Sequence, residues 1–471
     1  AEAAAAAWDP SSFRDLLQQV SAEGRAEEPL LLRLRGEPAA AAAEEGDEDG
    51  GEAGGDLVDC APSDFVLVAE LCAARRLRDF VSLHELADRL AAGVPAASTD
   101  VLRRIATVYS TLGALNPPLF QSIAAAYLSA WGKASEAVDT EHLTAVARAF
   151  SVQRLRHEEL FDAVKGRLQA GGAEAATPEQ ALSLLHSHAY LNAGDGLGGL
   201  WEQLEERARS PGLSKLSPGT LAELCHVLVL SRRADARQEE LAAMLEALAD
   251  PVLKADAAFW ASSDGASLHK RVLLLRSVMR YLYRDTYRAL PAGVAQAFRC
   301  AHRLEQPEAA QKPAVNFVRK VSHCLTKMKI GHLVNVERGA FVFDVMERDR
   351  KLIYECNHFD RYYVGTTEKI ASMCLQERVA KAMGYRVVQV PHWHWTRITH
   401  KKQRASYIRM SRYYAIKDRR ELTPRDDVPT DVTMTEFDFV GEYFFRKERP
   451  SPHWSWFQPR YDYRNRLPAE A

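Results

Sequence analysis

The chain has 471 residues, with 61 Lys and Arg against 63 Asp and Glu, so its net charge is −2 with histidine neutral. That length allows two or three domains, each able to bury its own core without disulfide or metal staples. Seven cysteines (Cys60, Cys72, Cys225, Cys300, Cys324, Cys356, Cys374) form no C-x-x-C pair, which argues against a zinc ribbon or a secreted disulfide framework and points to a reducing compartment.

No apolar run reaches the eighteen or so residues that a membrane span needs, and a soluble protein is expected. The near-neutral sum hides a division: the first 56 residues carry roughly −10 and residues 312–471 about +11. A basic C-terminal portion is the electrostatic footprint of a segment that meets phosphate. The first residue is Ala1 rather than Met, as expected of a processed or trimmed chain.

In chain order, Ser12 caps a short helix with Phe13, Leu16, Leu17 and Val20 on one face. Glu37 to Asp56 is almost wholly Ala, Gly, Glu and Asp. Such a composition buries too little apolar surface to offset its ordering entropy, so residues 1–56 read as a helix plus a flexible acidic segment.

Residues 57–311 read as amphipathic helices that repeat. Ser63, Thr99, Thr140, Thr177 and Ser217 stand at expected N-caps. Pro178 and Pro218 take the first helical position, where a missing N–H costs nothing. The first helices of the units are expected at Phe65–Leu77, Leu102–Leu115, Leu143–Leu155, Leu182–Leu191 and Leu221–Leu230. The second helices are expected at Leu119–Trp131, Leu160–Leu168, Leu200–Ala208 and Leu241–Leu248. One helix pair cannot bury its apolar face alone, so stacked pairs predict an α-solenoid. An irregular helical domain with accidental spacing is the competing reading, and neither chooses between RNA and protein partners. Arg280, Tyr281, Tyr283, Arg284, Tyr287 and Arg288 recur at helical spacing and read as a core stripe flanked by solvated arginines, or as a stacking surface. Gln306 to Pro313 reads as a linker.

After the linker the period changes. A helix over Phe317–Met328 is followed by strands at His332–Val336, Phe341–Val345 and Leu352–Cys356. A helix over Glu368–Met383 ends at Gly384, then a strand spans Tyr385–Val390, and a basic helix runs from Lys401 to Ile416. The order Phe343-Asp344, Leu352-Ile353-Tyr354-Glu355, helix, Gly384-Tyr385-Arg386-Val387-Val388, then Pro391-His392-Trp393-His394-Trp395 resembles the RAP domain over residues 312–416. That family binds RNA in organelles and often follows helical repeats. The fold class implied is multidomain: an all-α helical-repeat solenoid (57–311), an α/β restriction-endonuclease-like RAP domain (312–416) and a basic, aromatic tail (417–471).

The related nuclease fold raises metal-dependent cleavage, which needs carboxylates on adjacent strands and a lysine two residues after the second. Asp344 and Glu355 stand where the carboxylates would be, but Asn357 holds the lysine position, and residues 312–330 contain no carboxylate. The site reads as degenerate, with no catalytic residue, metal or cofactor. His392 and His394 would share a face of an extended strand, with His358 within reach. Zinc ligation by the three is the sharper reading and imidazoles facing phosphate the plainer one. Trp393 and Trp395 would share the opposite face, as core or with one exposed indole as a base-stacking platform.

The expected RNA-binding residues are Arg397, Lys401, Lys402, Arg404, Arg409, Arg412, Lys417, Arg419 and Arg420, opposed in the helix only by Asp418. His392, His394 and Tyr413 join them, with Tyr407 and Tyr414 as further stacking rings. The tail adds Arg460 and Arg464 among Trp454, Trp456, Phe457, Tyr461, Tyr463 and Arg466. The expected function is non-catalytic binding of structured organellar RNA, foremost ribosomal RNA as a mitochondrial ribosome subunit among ribosomal or other ribonucleoprotein proteins. The mitochondrial matrix is implied by the resemblance alone, with no targeting peptide visible in the sequence. The alternatives are a free mitochondrial RNA processing or stability factor, a divergent RAP-type nuclease, and a protein-interaction scaffold.

Overall fold

The computed structural model describes residues 93–133, 139–210, 212–304, 315–398 and 400–417, with six positions before residue 93. The helix expected at residues 12–20, the acidic segment, most of the helix at Phe65–Leu77 with its Ser63 cap, the 306–313 linker and the tail from residue 418 lie outside the described residues. Those described form two compact units, one ending at Gly172 and the other beginning at Ala173. Among the described residues no helix is long and apolar enough to cross a membrane.

The first unit contains α1 (Thr99–Leu112), α2 (Pro117–Lys133), α3 (Thr140–Val152) and α4 (Glu158–Arg167). The caps differ by one residue from expectation. Ser98 rather than Thr99 accepts from the Val101 N–H, and Asp139 rather than Thr140 accepts from the Glu141 N–H at 2.9 Å. The sequence offers two adjacent capping residues at each site, and the first takes the extended backbone that a cap requires. Each pair also closes the exposed carbonyls of the one before. Gln153, just after α3, donates from Nε2 to the Tyr109 carbonyl of α1 at 2.8 Å, and Arg167 donates to the Trp131 carbonyl of α2 at 2.7 Å.

The second unit continues the same local pattern with α5 (Pro178–Tyr190), α6 (Gly199–Arg209), α7 (Pro218–Leu230) and α8 (Gln238–Lys254). Here Thr177 and Ser217 cap as expected, Thr177 in a reciprocal capping box with Gln180. Gly113, Arg154, Asn192 and Arg232, all with positive φ, follow the first helices of successive pairs about forty residues apart.

Four more helices follow: a short one at Ala257–Ala261, then α9 (Ser263–Tyr281), α10 (Arg284–Ala289) and α11 (Ala292–Arg303). The tyrosine–arginine cluster does not share one helix face, because the chain breaks between α9 and α10. Tyr283 sits at that break, buried, with its hydroxyl donating to Asp235 at 2.5 Å.

The α/β portion comprises α12 (Asn316–Lys327), β1 (Leu333–Arg338), β2 (Phe341–Glu347), β3 (Leu352–Asn357), α13 (Ala371–Ala382), β4 (Arg386–Pro391), α14 (His392–Arg397) and α15 (Lys401–Lys417). The sheet order is β1-β2-β3-β4, antiparallel except for the parallel β3/β4 pair that α13 connects. Alternate residues Leu352, Tyr354 and Cys356 of β3 with Val388 and Val390 of β4 face a core shared with Phe317, Val321 and Leu325 of α12 and Tyr407 and Ile408 of α15. The same face buries Glu347, which accepts from Arg412 at 2.6 and 2.9 Å and from the Tyr354 hydroxyl at 3.0 Å.

The sheet portion packs on the helices of its own unit through specific contacts. Tyr363 donates to the Tyr190 carbonyl at 2.6 Å, and Arg378 of α13 reaches Asp235 at 2.8 Å. Gly339 turns at φ 63° directly against Ser277, whose Oγ would lie 2.5 Å from any Cβ there. Glu347 is 2 % exposed. Glu347→Ala, by leaving half-buried Arg412 and the Tyr354 hydroxyl without their acceptor, is expected to cost about 1–3 kcal/mol. Glu347→Ala with Arg412→Met should recover most of that loss in urea denaturation followed by tryptophan fluorescence.

Candidate nucleic-acid interface

The pleat sends the other polar residues of the sheet to the opposite face, toward α13. Asp344 of β2, Glu355 and Asn357 of β3 and Gln389 of β4 gather there. Their partners were not legible in the motif. Arg361 donates through both terminal nitrogens to the two Asp344 oxygens, each at 2.6 Å, and the Cys356 N–H donates to the same carboxylate at 2.8 Å. Lys369 Nζ lies 2.8 Å from Glu355 and 2.6 Å from Glu377 of α13. Asn357 donates to Gln389 Oε1 at 2.5 Å, and Gln389 donates to Glu377 at 3.3 Å.

Burial works against the charges of Arg361 and Lys369, but the facing carboxylates outweigh it and hold both groups above their ordinary values. Burial likewise pushes Glu377 up, and Lys369 and Lys381 more than reverse it, leaving its carboxyl below the usual range. A magnesium ion needs carboxylate oxygens free to coordinate it. Asp344 has both committed to Arg361, and Glu355 has one committed to Lys369 while Oε1 has no hydrogen-bond partner. These residues do not fit a divalent cation, since two cations of the chain already engage three of the four carboxylate oxygens of Asp344 and Glu355. Among the described residues no group of three or more His, Cys, Asp and Glu is arranged to hold a metal ion.

The Pro-His-Trp-His-Trp run is helical, not extended, because β4 ends at Pro391 and α14 begins at His392. His392 and His394 therefore do not share a strand face. His392 meets His358, ring centroids 4.7 Å apart, whereas His394 packs edge-on to Tyr407. Burial pushes both His392 and His394 down to about 4, so neither carries charge at neutral pH to attract phosphate. Trp393 and Trp395 are both buried, as core residues should be.

From Tyr354 through α13, β4 and α14 into α15, one continuous span surrounds this network. Residues 354–410 match the family model of the RAP domain. This span is a RAP domain. No curated protein matches the chain.

The basic helix α15 runs out of the RAP domain, and its cations divide into two sets. Arg412 is spent on Glu347, an acid supplied by β2 and therefore invisible in the helix's own sequence. Arg404 donates to the Ile398 carbonyl at 2.7 Å and lies over the Trp395 ring. Arg397 is half-buried, while Lys401, Lys402, Arg409 and Lys417 are exposed, Lys417 near the Tyr413 ring. Tyr407 and Tyr414 are buried and present no stacking face, leaving half-buried Tyr413. Arg419, Arg420, Arg460 and Arg464 lie outside the described residues.

A cavity of about 280 Å³ opens between α13 of the RAP domain and helices α5 and α7, with Arg232, Arg233 and Arg378 in its lining. Two of these are committed, Arg378 to Asp235 and Arg233 to Glu202 at 2.5 Å. The exposed basic face of α12, ahead of the matched span, is the feature that residue-type motifs missed. Its signal was the absence of any Asp or Glu from residue 315 to residue 336.

The two imidazoles set a pH dependence. Unfolded histidine titrates near 6.5, while folded His392 and His394 sit at about 4. Their contribution to stability is complete above about pH 6.5 and is lost as pH falls toward 4. His392→Gln with His394→Gln should flatten the denaturation midpoint against pH across that window.

Proposed function

We propose that this protein binds structured RNA without cleaving it, and that it does so in mitochondria. The RAP domain carries the RNA-binding part of this reading, and the neutralisation of Asp344 and Glu355 by Arg361 and Lys369 carries the non-catalytic part. A nuclease must leave its carboxylates available for metal and its cation available for the transition state. Here Arg361 engages both oxygens of Asp344 and Lys369 engages one oxygen of Glu355.

The repeated caps and positive-φ corners favour a solenoid of stacked pairs ahead of a restriction-endonuclease-like RAP domain, an arrangement that offers RNA an extended surface. Ribosomal RNA is the ligand we favour, with the protein acting as a mitochondrial ribosome subunit beside other ribonucleoprotein proteins. A free RNA processing or stability factor is the second reading.

Incubated with RNA and Mg²⁺ or Mn²⁺ at concentrations that retard it in a gel, the purified protein should leave the RNA intact. Cleavage abolished by Asp344→Ala would overturn the non-catalytic reading. Sedimentation of the tagged protein separates the other two: co-migration with a ribosomal subunit is expected, and a purely light fraction would identify the free factor.

A further inference from the structure

Helix α12 presents Arg319, Lys320, His323 and Lys327 to solvent, and Lys329 follows in the turn after it. Among the described residues none of these five has a hydrogen-bond or ion-pair partner through its side chain. This distinguishes α12 from α15, where Arg412 and Arg404 are consumed in packing. A run of exposed cations without counter-charges is repelled by itself and gains most from a polyanion.

The second observation comes from the sheet. Strands β3 and β4 are parallel, and Asn357 pairs with Pro391 at their ends. The next residue of each, His358 and His392, therefore emerges beside the other. Phe359 adds its ring 3.9 Å from His358, and Phe317 of α12 lies 5.6 Å from His392. His358 is 30 % exposed, and His392 and Phe359 are half-buried. Lys320 is close enough to His392 to help depress its protonation, after burial and His358. The cationic face and the aromatic cluster are thus neighbours, joined through the first two turns of α12.

A ring cluster offers a π-face to a base, and adjacent cations offer charge to its phosphates. A duplex presents phosphates but keeps its base faces stacked inside, so only an unpaired strand satisfies both halves. Asp360, beside His358, disfavours phosphate on the ring side and leaves the backbone to α12.

We propose that α12 and the His358–Phe359–His392 cluster form one site for an unpaired RNA strand, with phosphates along α12 and a base on the rings. This rests on the RNA-binding reading above and specifies the conformation of the RNA at this surface.

The test uses the full chain and a fluorescently labelled single-stranded RNA, alone and annealed to its complement, with anisotropy measured across a salt series. The single strand should bind more tightly than the duplex. Arg319→Gln, Lys320→Gln, Lys327→Gln and Lys329→Gln together should reduce the salt slope for the single strand by about 3, since each contact contributes roughly 0.7. The exchange Arg319→Lys with Lys320→Arg should restore binding that Arg319→Gln with Lys320→Gln loses. His358→Gln with Phe359→Leu, which keeps side-chain volume, should weaken single-strand binding about tenfold at unchanged salt slope. If the wild type binds neither RNA, the RNA-binding reading itself falls. If it binds RNA but the four-charge variant keeps the full slope, or the duplex binds as tightly as the single strand, or the Gln/Leu variant binds like wild type, this site is refuted while that reading stands.

Discussion

A carboxylate taken out of water must find a positive partner, because an unpaired buried charge costs several kcal/mol. The four-stranded sheet buries three such groups, Asp344, Glu347 and Glu355. Their counter-charges come from three places: Arg361 in the turn after β3, Lys369 ahead of α13 and Arg412 near the end of α15. That requirement fixes α15 across one face of the sheet and the 361–369 segment across the other. The four-stranded sheet and the segments packed on it are organised around neutralising the sheet's own acids.

The same constraint decides what is left for a ligand. Each arginine that pairs inside is withdrawn from the surface, so a count of positive residues along a helix overstates the charge available outside. Helix α15 has the larger count, whereas α12, with fewer cations, keeps Arg319, Lys320 and Lys327 exposed and without an ion-pair partner among the described residues. His358 and His392, both half-buried beside it, complement that charge with ring faces. Electrostatic and stacking functions thereby fall to different elements at the carboxyl ends of the two parallel strands.

Much of the fold was legible in the sequence because it depends on local chemistry. The 3.6-residue period located the helices, Thr177 and Ser217 announced their caps, and short strand-like apolar runs located all four strands. Errors arose where two local signals competed, as at Ser98–Thr99 and Asp139–Thr140, or where a run was too short for its period to be read, as at Pro391–Trp395. The RAP framework was legible from the Gly-Tyr-x-Val-Val strand and the aromatic run after it. The partners of its acids were not, because Asp344 and Arg361 or Glu347 and Arg412 meet only through tertiary packing. A helix sequence such as 401–417 holds no trace of the acid that β2 supplies to it.

Tyr363 shows how the RAP domain relates to the helices beside it. Its hydroxyl donates to the Tyr190 carbonyl and accepts from the Ala371 N–H, which opens α13. One phenol oxygen thus closes the end of a repeat helix and begins the helix that links the parallel strands. The family-matched span is therefore a poor unit for excision. Cut out alone, it would carry away a tyrosine whose acceptor stays behind and bare the α13 surface that α5 and α7 now cover.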